Sequence, residues 1–188
     1  MIHKNLLLIM LLTIKKALSS LLLLLTLSAF AETNNVSIVI HGGAGWFTGM
    51  AQDDIDGIKR ALEESANKGY EVMLEGGTSI DAVEEAIVIL EDNPLFNAGK
   101  GAVYTSEFKQ ELDASIMNGS DLNAGAAASV TNVKNPIRLA RHIMENTKHV
   151  MFSSKGAERI AKEAGLEIVY PSSVSYTHLR AHETKANL

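Results

Sequence analysis

No cysteine occurs among the 188 residues, and that absence removes disulfides, thiolate metal sites and thiol nucleophiles from consideration. An oxidising compartment stays permitted. Positive charge is also scarce: 17 Lys and Arg stand against 22 Asp and Glu, a formal net charge of −5. Three of the cations, Lys4, Lys15 and Lys16, lie in residues 1–31, which contain no acid, so the remainder is more acidic still. That sign argues against nucleic acid or an anionic membrane as a partner. There is no G-x-S-x-G elbow, which weighs against an α/β-hydrolase. Neither G-x-G-x-x-G nor a Gly-Lys-Ser/Thr ending follows the first strand-like segment, which weighs against a phosphate cradle. No repeat or low-complexity tract follows the leader, and a hydrophobic content of 46% fits a single globular domain.

The leader, residues 1–31, stands apart from the fold. Lys15-Lys16 precedes the apolar run 17–27, and Ala29-Phe30-Ala31 places small residues where a signal peptidase reads, just before Glu32. The run is shorter than the ~20 residues that span a bilayer, so the segment reads as a signal peptide and predicts a secreted or periplasmic protein. A further apolar stretch, 6–12, lies ahead of the lysines and makes Met10 an alternative start. At the other end, residues 174–188 lack the apolar period and caps of the preceding chain and resemble a translated sequencing adapter, so they are expected to be a non-native tail. The domain proper is then 32–173.

Within that domain, Val36-Ser37-Ile38-Val39-Ile40-His41 is β-branched and ends in glycines, the pattern of a strand entering a tight loop. Apolar residues at 55, 58, 62, 66, 70, 73 and 74 predict one long helix over 53–75, weakened by Gly57 and Gly69 and stopped by Gly76-Gly77. Thr78 and Asp81 have capping-box spacing for a second helix reaching about Glu91. Its stripe of Ile80, Val83, Ile87 and Leu90 is expected to face the core, with Glu84, Glu85 and Glu91 in water. Pro94 ends it, and 102–105 has the makings of a short strand. Strands at 112–117 and 125–130 flank the turn signal Asn118-Gly119. The second is built of alanine, glycine and serine, which suits a strand pressed closely by another layer, as in a stacked-sheet sandwich. Asn135-Pro136 starts a helix, 149–152 is a short strand, Ser153 or Ser154 caps a last helix ended by Gly165, and 166–170 is extended.

Four segments together carry the functional signal. His41-Gly42-Gly43-Ala44-Gly45 alone fits an ordinary tight turn with a structural histidine. It occurs, however, with Gly76-Gly77-Thr78-Ser79-Ile80-Asp81-Ala82-Val83-Glu84, with Pro94-Leu95-Phe96-Asn97-Ala98-Gly99-Lys100-Gly101-Ala102-Val103-Tyr104-Thr105, and with Glu111-Leu112-Asp113-Ala114-Ser115-Ile116-Met117-Asn118-Gly119. In that order, over about 36–172, the chain resembles the isoaspartyl peptidase/L-asparaginase (plant-type asparaginase) family of N-terminal nucleophile (Ntn) hydrolases. The sister glycosylasparaginases share the Leu-Asp-Ala and Gly-Ala-Ala features but typically lack the first motif and the Pro-Leu-Phe-Asn-Ala-Gly loop. They are the alternative enzyme reading, and a non-catalytic exported binding domain is the alternative of another class.

The resemblance implies an α+β fold, the αββα Ntn sandwich, of which this chain holds only the N-terminal half, the α-subunit. It implies a precursor that cuts itself once, exposing a threonine whose hydroxyl is the nucleophile and whose α-amino group is the base. The family's Gly-Thr-Val-Gly motif does not occur here, so no catalytic nucleophile is assigned and the chain is expected to be inactive alone. Thr131, Thr147, Thr177 and Thr184 lack its flanks. By motif alignment Asn97 falls on an asparagine that orders the nucleophile's surroundings, and Gly43 on the glycine loop beside it. The backbone carbonyls of Leu90, Glu91, Asn93, Phe96, Ala98 and Lys100 fall on a sodium-binding loop, and oxygen donors suit such a hard cation. No cofactor is required. The implied partners are a small substrate, asparagine or an isoaspartyl dipeptide, and the missing β-subunit half, in an (αβ)2 dimer.

The other candidates have plain explanations. His178 and His182 have zinc-like spacing without an intervening glutamate. Asp53, Asp54 and Asp56 suit a helix start, Asp113 resembles a structural position of the family, and Trp46 and Phe47 are expected to pack over the glycine loop.

Overall fold

A 23-residue helix with two glycines inside it needs a packing reason, and the computed structural model supplies one. It describes residues 14–16, 35–45 and 47–169. The chain divides into two compact units, Met1–Asn35 and Val36–Leu188. Of the first, residues 14–16 are helical. The rest of the leader, Trp46 and the 170–188 segment, with Thr177, His178, His182 and Thr184, lie outside the described residues. No helix among the described residues is long and apolar enough to cross a membrane.

Helix α1 (Gln52–Leu74) begins without a side-chain cap, with Asp53 and Asp54 in the first turn where the helix dipole favours them. Helix α2 (Ser79–Glu91) has the full capping box: the Asp81 amide donates to Thr78 Oγ1 (3.2 Å), and the Thr78 amide donates to Asp81 Oδ2 (2.8 Å). The two helices pack against each other through small residues. A Cβ on Gly69 would lie 2.9 Å from the Ala82 carbonyl oxygen, and the buried Ser65 hydroxyl donates to the Ala86 carbonyl at 2.7 Å. A glycine that is unfavourable in an isolated helix is here the condition for close approach.

The burial of α2 corrects the one-faced expectation. Ile80 and Leu90 are buried and Ile87 is half-buried, but Val83 is 41% exposed, while Glu84 (6%) and Glu91 (3%) are buried. The reason is that α2 has neighbours on several sides. Ala82 and Ala86 face α1, and Glu84 faces the helix α3 (Pro136–Asn146), where Arg138 Nη1 (2.7 Å) and Arg141 Nη1 (2.6 Å) grip its two oxygens. Glu85, half-buried, takes the other Arg138 nitrogen at 2.8 Å, and Asp81 takes Arg141 Nη2 at 2.7 Å.

Strands β1 (Leu112–Met117) and β2 (Ala124–Val130) are antiparallel, and β3 (Met151–Ser153) joins β2 in parallel after the α3 crossover, giving the order β1-β2-β3. The fold is α+β with a small sheet. Their connection is a longer loop than an Asn-Gly turn: Leu122, not Gly119, takes the positive φ (62°), and Asn118 and Asn123 close it through a 2.8 Å backbone bond. A bulge interrupts the β1–β2 register between Leu112 and Ala114. There Ser129 adopts φ 51° and its amide donates to Asp113 Oδ1 at 2.8 Å. Asp113 is thereby a structural residue of the strand pair.

Helix α3 and helix α4 (Ser154–Glu163) cover one face of this sheet, enclosing Leu112, Ala127, Val130, Val133, Leu139, Ile143, Ala157 and Ala161. The layer that presses on β2 is α3. A Cβ on Gly125 would collide with the Ala140 carbonyl oxygen and come within 2.5 Å of the Met144 amide nitrogen. The opposite face carries Asp113, Ser115, Met117, Ala126, Ala128, Met151 and Ser153, with Met117 60% and Met151 55% exposed.

Further differences are local. Residues 36–41 are extended and alternate half-buried with exposed, as a strand does, but form no ladder among the described residues. Residues 102–105 contribute only an isolated bridge, Tyr104 to Gln110, after a 3-10 turn at Gly99–Gly101. Ser153 holds the N-cap position of α4 without a side-chain cap bond, and 166–169 is tied down by the Val133–Ile168 bridge.

Two outcomes are expected. Gly125→Ala should destabilise by about 1–3 kcal/mol in urea unfolding, since the added methyl meets helix backbone that cannot rotate away. Hydrogen bonds from the Thr78 side chain and backbone, then Arg141, hold Asp81 at about 2, below its ordinary 3.8. The unfolded chain therefore binds the proton first, and stability should fall as pH drops from about 4 through about 2. Asp81→Asn should flatten that acid limb; an unchanged limb would remove Asp81 from the linkage.

Candidate active site

The glycine loop is positioned by the residues that precede it. Ile38 packs over Gly69, and Ile40 joins Ala61, Leu90 and Phe96 in a core cluster with Ile58, Leu62 and Leu95. These contacts deliver His41–Gly45 to the junction of α1 and the turn after α2. Gly42 is pressed there: an added Cβ would sit 3.0 Å from Leu62 Cδ2 and 3.4 Å from Phe96 Cε1. Gly43 turns the chain with φ +92°, and its amide donates to His41 Nδ1 at 3.1 Å, which puts the neutral ring's proton on Nε2.

The second wall is the turn that follows α2. Asn93 Oδ1 accepts from the Leu95 amide (2.9 Å), Phe96 is buried, and Asn97 Oδ1 accepts from the Val103 amide at 3.0 Å. That bond fixes the side chain of Asn97 and leaves its amide group to act as a donor. Both walls line one cleft of about 470 Å³, with Gly43 and Asn97 in its lining together with Phe47, Met50, Ile58, Ile87, Leu90 and Leu95. Phe47 accordingly lies beside the glycine loop, 56% exposed. Two other concavities of similar size, about 440 Å³ along α1 and about 490 Å³ between α2 and the β1–β2 loop, are lined neither by the glycine loop nor by the turn carrying Asn97.

The turn also gathers backbone carbonyls. A Cβ on Gly99 would strike the Glu91 carbonyl oxygen, and one on Gly101 would strike that of Phe96 and lie 2.6 Å from that of Pro94. Carbonyls thus crowd the Gly99–Gly101 turn. The Leu90 carbonyl accepts from the Asp92 and Asn93 amides, whereas those of Asn93 and Ala98 each accept one such backbone bond, from Phe96 and Gly101, and retain a second lone pair. This donor set fits a hard cation. Lys100 is exposed at its edge.

Glu91 is the feature that periodicity missed. Its Oε1 accepts from the Ile137 amide (3.0 Å) at the start of α3, and its Oε2 is buried with no protein partner. Burial pushes this carboxyl up to about 8, against the opposing pull of the Ile137 amide and Asn135. The signal available in sequence was the proline-started helix, whose first amides need an acceptor.

Thr131 and Thr147 are committed elsewhere. Thr131 donates to Glu158 Oε1 at 2.7 Å, and the Thr147 hydroxyl bonds the Ile143 and His149 carbonyls at 3.0 and 2.9 Å. Asp53 and Asp54 are exposed in the first turn of α1, and Asp56 accepts from Gln52 Nε2 at 2.9 Å. Among the described residues no cluster of three or more His, Asp or Glu forms a metal site.

Comparison with known proteins points to one family. The model of the family described as Asparaginase (Asparaginase_2) matches residues 34–188. The chain is 45% identical over 138 residues to the plant-type L-asparaginase of Pyrococcus furiosus, covering 73% of this chain and 44% of that protein. It is 40% identical over 135 residues to the isoaspartyl peptidase/L-asparaginase of Bos taurus, covering 72% and 43%, and 42% identical over 132 residues to that of Homo sapiens, covering 70% and 42%. The chain therefore spans less than half the length of these curated relatives.

At φ +92° a side chain on Gly43 is strained whatever space surrounds it. Gly43→Ala should lower stability by about 1–2 kcal/mol, the left-handed cost for an L-residue, read as a shifted urea midpoint at unchanged slope.

Proposed function

The chain belongs to the asparaginase family, and from that premise we propose that it is the N-terminal portion of an exported N-terminal-threonine amidohydrolase acting on L-asparagine and isoaspartyl peptides. The observation that carries this reading is the meeting of the Gly43 loop and Asn97 across one cleft. Two segments more than fifty positions apart in sequence are held together there by packing that serves no evident purpose in a simple turn.

The nucleophile is a threonine contributed by sequence that follows this chain's counterpart in the full-length protein, freed as a new N-terminus by self-cleavage. Its hydroxyl attacks the side-chain carbonyl of the aspartyl unit while its own α-amino group takes the proton. Asn97, its carbonyl engaged by Val103, presents an amide donor that orders the nucleophile. Gly43 lets the backbone pass close beside it without a side chain in the way. The carbonyls of Leu90, Glu91, Asn93, Phe96, Ala98 and Lys100 would hold a sodium ion that stiffens the turn carrying Asn97, a structural and not a chemical service.

The same proposal accounts for two unpaired surfaces. The open sheet face, which mixes the small Ser115, Ala126, Ala128 and Ser153 with the exposed Met117 and Met151, suits a second sheet stacked upon it, as in an αββα sandwich, and the strand-like 36–41 segment awaits a ladder partner. The second half of the protein supplies both, and the leader directs the product to the periplasm or outside the cell.

The direct check is activity. The complete reading frame, expressed without its leader, should release ammonia from L-asparagine and free amino acid from isoaspartyl dipeptides, and Asn97→Ala should lower kcat by about 10²-fold, the scale of losing one ordering polar group. A complete, folded product that hydrolyses neither substrate would overturn the assignment.

A further inference from the structure

We infer that the Asn118–Gly119 peptide in the β1–β2 loop is a site of spontaneous covalent modification: the Asn118 side chain closes onto the Gly119 nitrogen, loses ammonia, and reopens as an aspartyl or isoaspartyl link. This goes beyond the proposed activity and does not depend on it, because both reacting groups lie within this chain.

Asn118 is the only asparagine in the chain followed by glycine. The following residue decides the matter, since its nitrogen must reach the side-chain carbonyl carbon, and a Cβ there obstructs the approach. Asn93 and Asn135 precede proline, which has no amide proton to give up. Gly119 is exposed, and apart from its chain neighbours nothing lies within 4 Å of the place a Cβ would take. Its amide donates no hydrogen bond among the described residues. The amides on either side are engaged: that of Asn118 donates to the Asn123 carbonyl at 2.8 Å, and that of Ser120 to Asn118 Oδ1 at 3.0 Å. The nucleophilic nitrogen is thus the free one.

The electrophile is prepared as well. Asn118 Oδ1 accepts from the Ser120 hydroxyl at 2.9 Å in addition to the Ser120 amide. Charge gathers on that oxygen as the Gly119 nitrogen attacks, and two donors already aimed at it stabilise it. The Asn118 main-chain carbonyl accepts from the Leu122 amide at 2.8 Å. That bond polarises the same peptide group and makes the Gly119 N–H a better acid.

The atoms balance with water alone. Solvent base takes the Gly119 amide proton, the bond from nitrogen to Asn118 Cγ forms, the bond from Cγ to Nδ2 breaks, and ammonia leaves with that proton. Water then opens the cyclic imide. Cleavage at Cγ leaves aspartate, and cleavage at the main-chain carbonyl carbon leaves isoaspartate, with the chain running through Cβ. The isoaspartyl form turns the carbonyl that Leu122 bonds into a free carboxylate. Either form adds negative charge to a concavity that Asp81, Asp121 and Glu145 already line.

The test incubates the complete folded protein, without its leader, in neutral buffer made with heavy-oxygen water, beside a free peptide spanning residues 116–122. Peptide mapping with electron-transfer fragmentation reads position 118 and separates aspartate from isoaspartate. We expect both products, carrying the oxygen label, to form in the folded protein within about tenfold of the peptide's rate, a barrier difference under about 1.4 kcal/mol. Gly119→Ala, whose methyl enters open space, should slow conversion by about tenfold or more. A folded protein that lags the peptide by more than that margin, or stays unlabelled while the peptide converts, overturns the inference. Conversion that Gly119→Ala leaves unchanged overturns it too, since the attack would then not pass through the Gly119 nitrogen.

Discussion

Helix α2 is enclosed on several sides, and a helix so enclosed cannot leave its charges to water. Glu84, 6% exposed at its middle, therefore meets two guanidinium groups from α3 at 2.7 and 2.6 Å. Isolated buried ion pairs add little net stability, because desolvation offsets the attraction, but they penalise any arrangement that separates the partners. The pairing thus sets the rotation of α2 against α3. With that fixed, Ala82 and Ala86 must face α1, where Gly69 and Ser65 receive them, and Glu91 at the far end must meet the first amides of α3. One helix links the α1 layer, the sheet-covering helix and the turn that carries Asn97.

The cleft inherits its geometry from this arrangement. Asn97 projects from the turn directly after α2, while the glycine loop is seated by Ile38 and Ile40 upon α1 and Phe96. Both are referred to the same two helices, which lets a loop made of glycines hold a defined position. The crowded turn and the apolar part of the cleft differ in character: backbone carbonyls gather around Gly99 and Gly101, while Phe47 and Met50 stay exposed to solvent.

Much of the architecture was legible in sequence wherever the signal is local. The capping box at Thr78 and Asp81, the proline opening α3, the β1–β2 pair and the small residues of β2 are each short-range statements about backbone and side chain. Whatever depends on a neighbour was not. A helical period distinguishes faces but not how many of them are covered, so Val83 was expected inside and Glu84 and Glu91 outside. Asn118-Gly119 signals a turn without specifying its length, and Leu122 took the left-handed position instead. Residues 36–41 read as a strand from their branching, but pairing is a property of two segments. The juxtaposition of Gly43 and Asn97 came from family resemblance alone. The carbonyl-rich turn leaves almost no side-chain signature because its donors belong to the backbone.

That this chain is part of a self-activating Ntn hydrolase is tested most directly by the covalent state of the complete product. The full reading frame, expressed without its leader and incubated, should resolve into two chains by denaturing electrophoresis, with intact mass and N-terminal sequencing showing threonine as the first residue of the second. A single uncut chain, stable over the same incubation and folded, would contradict it.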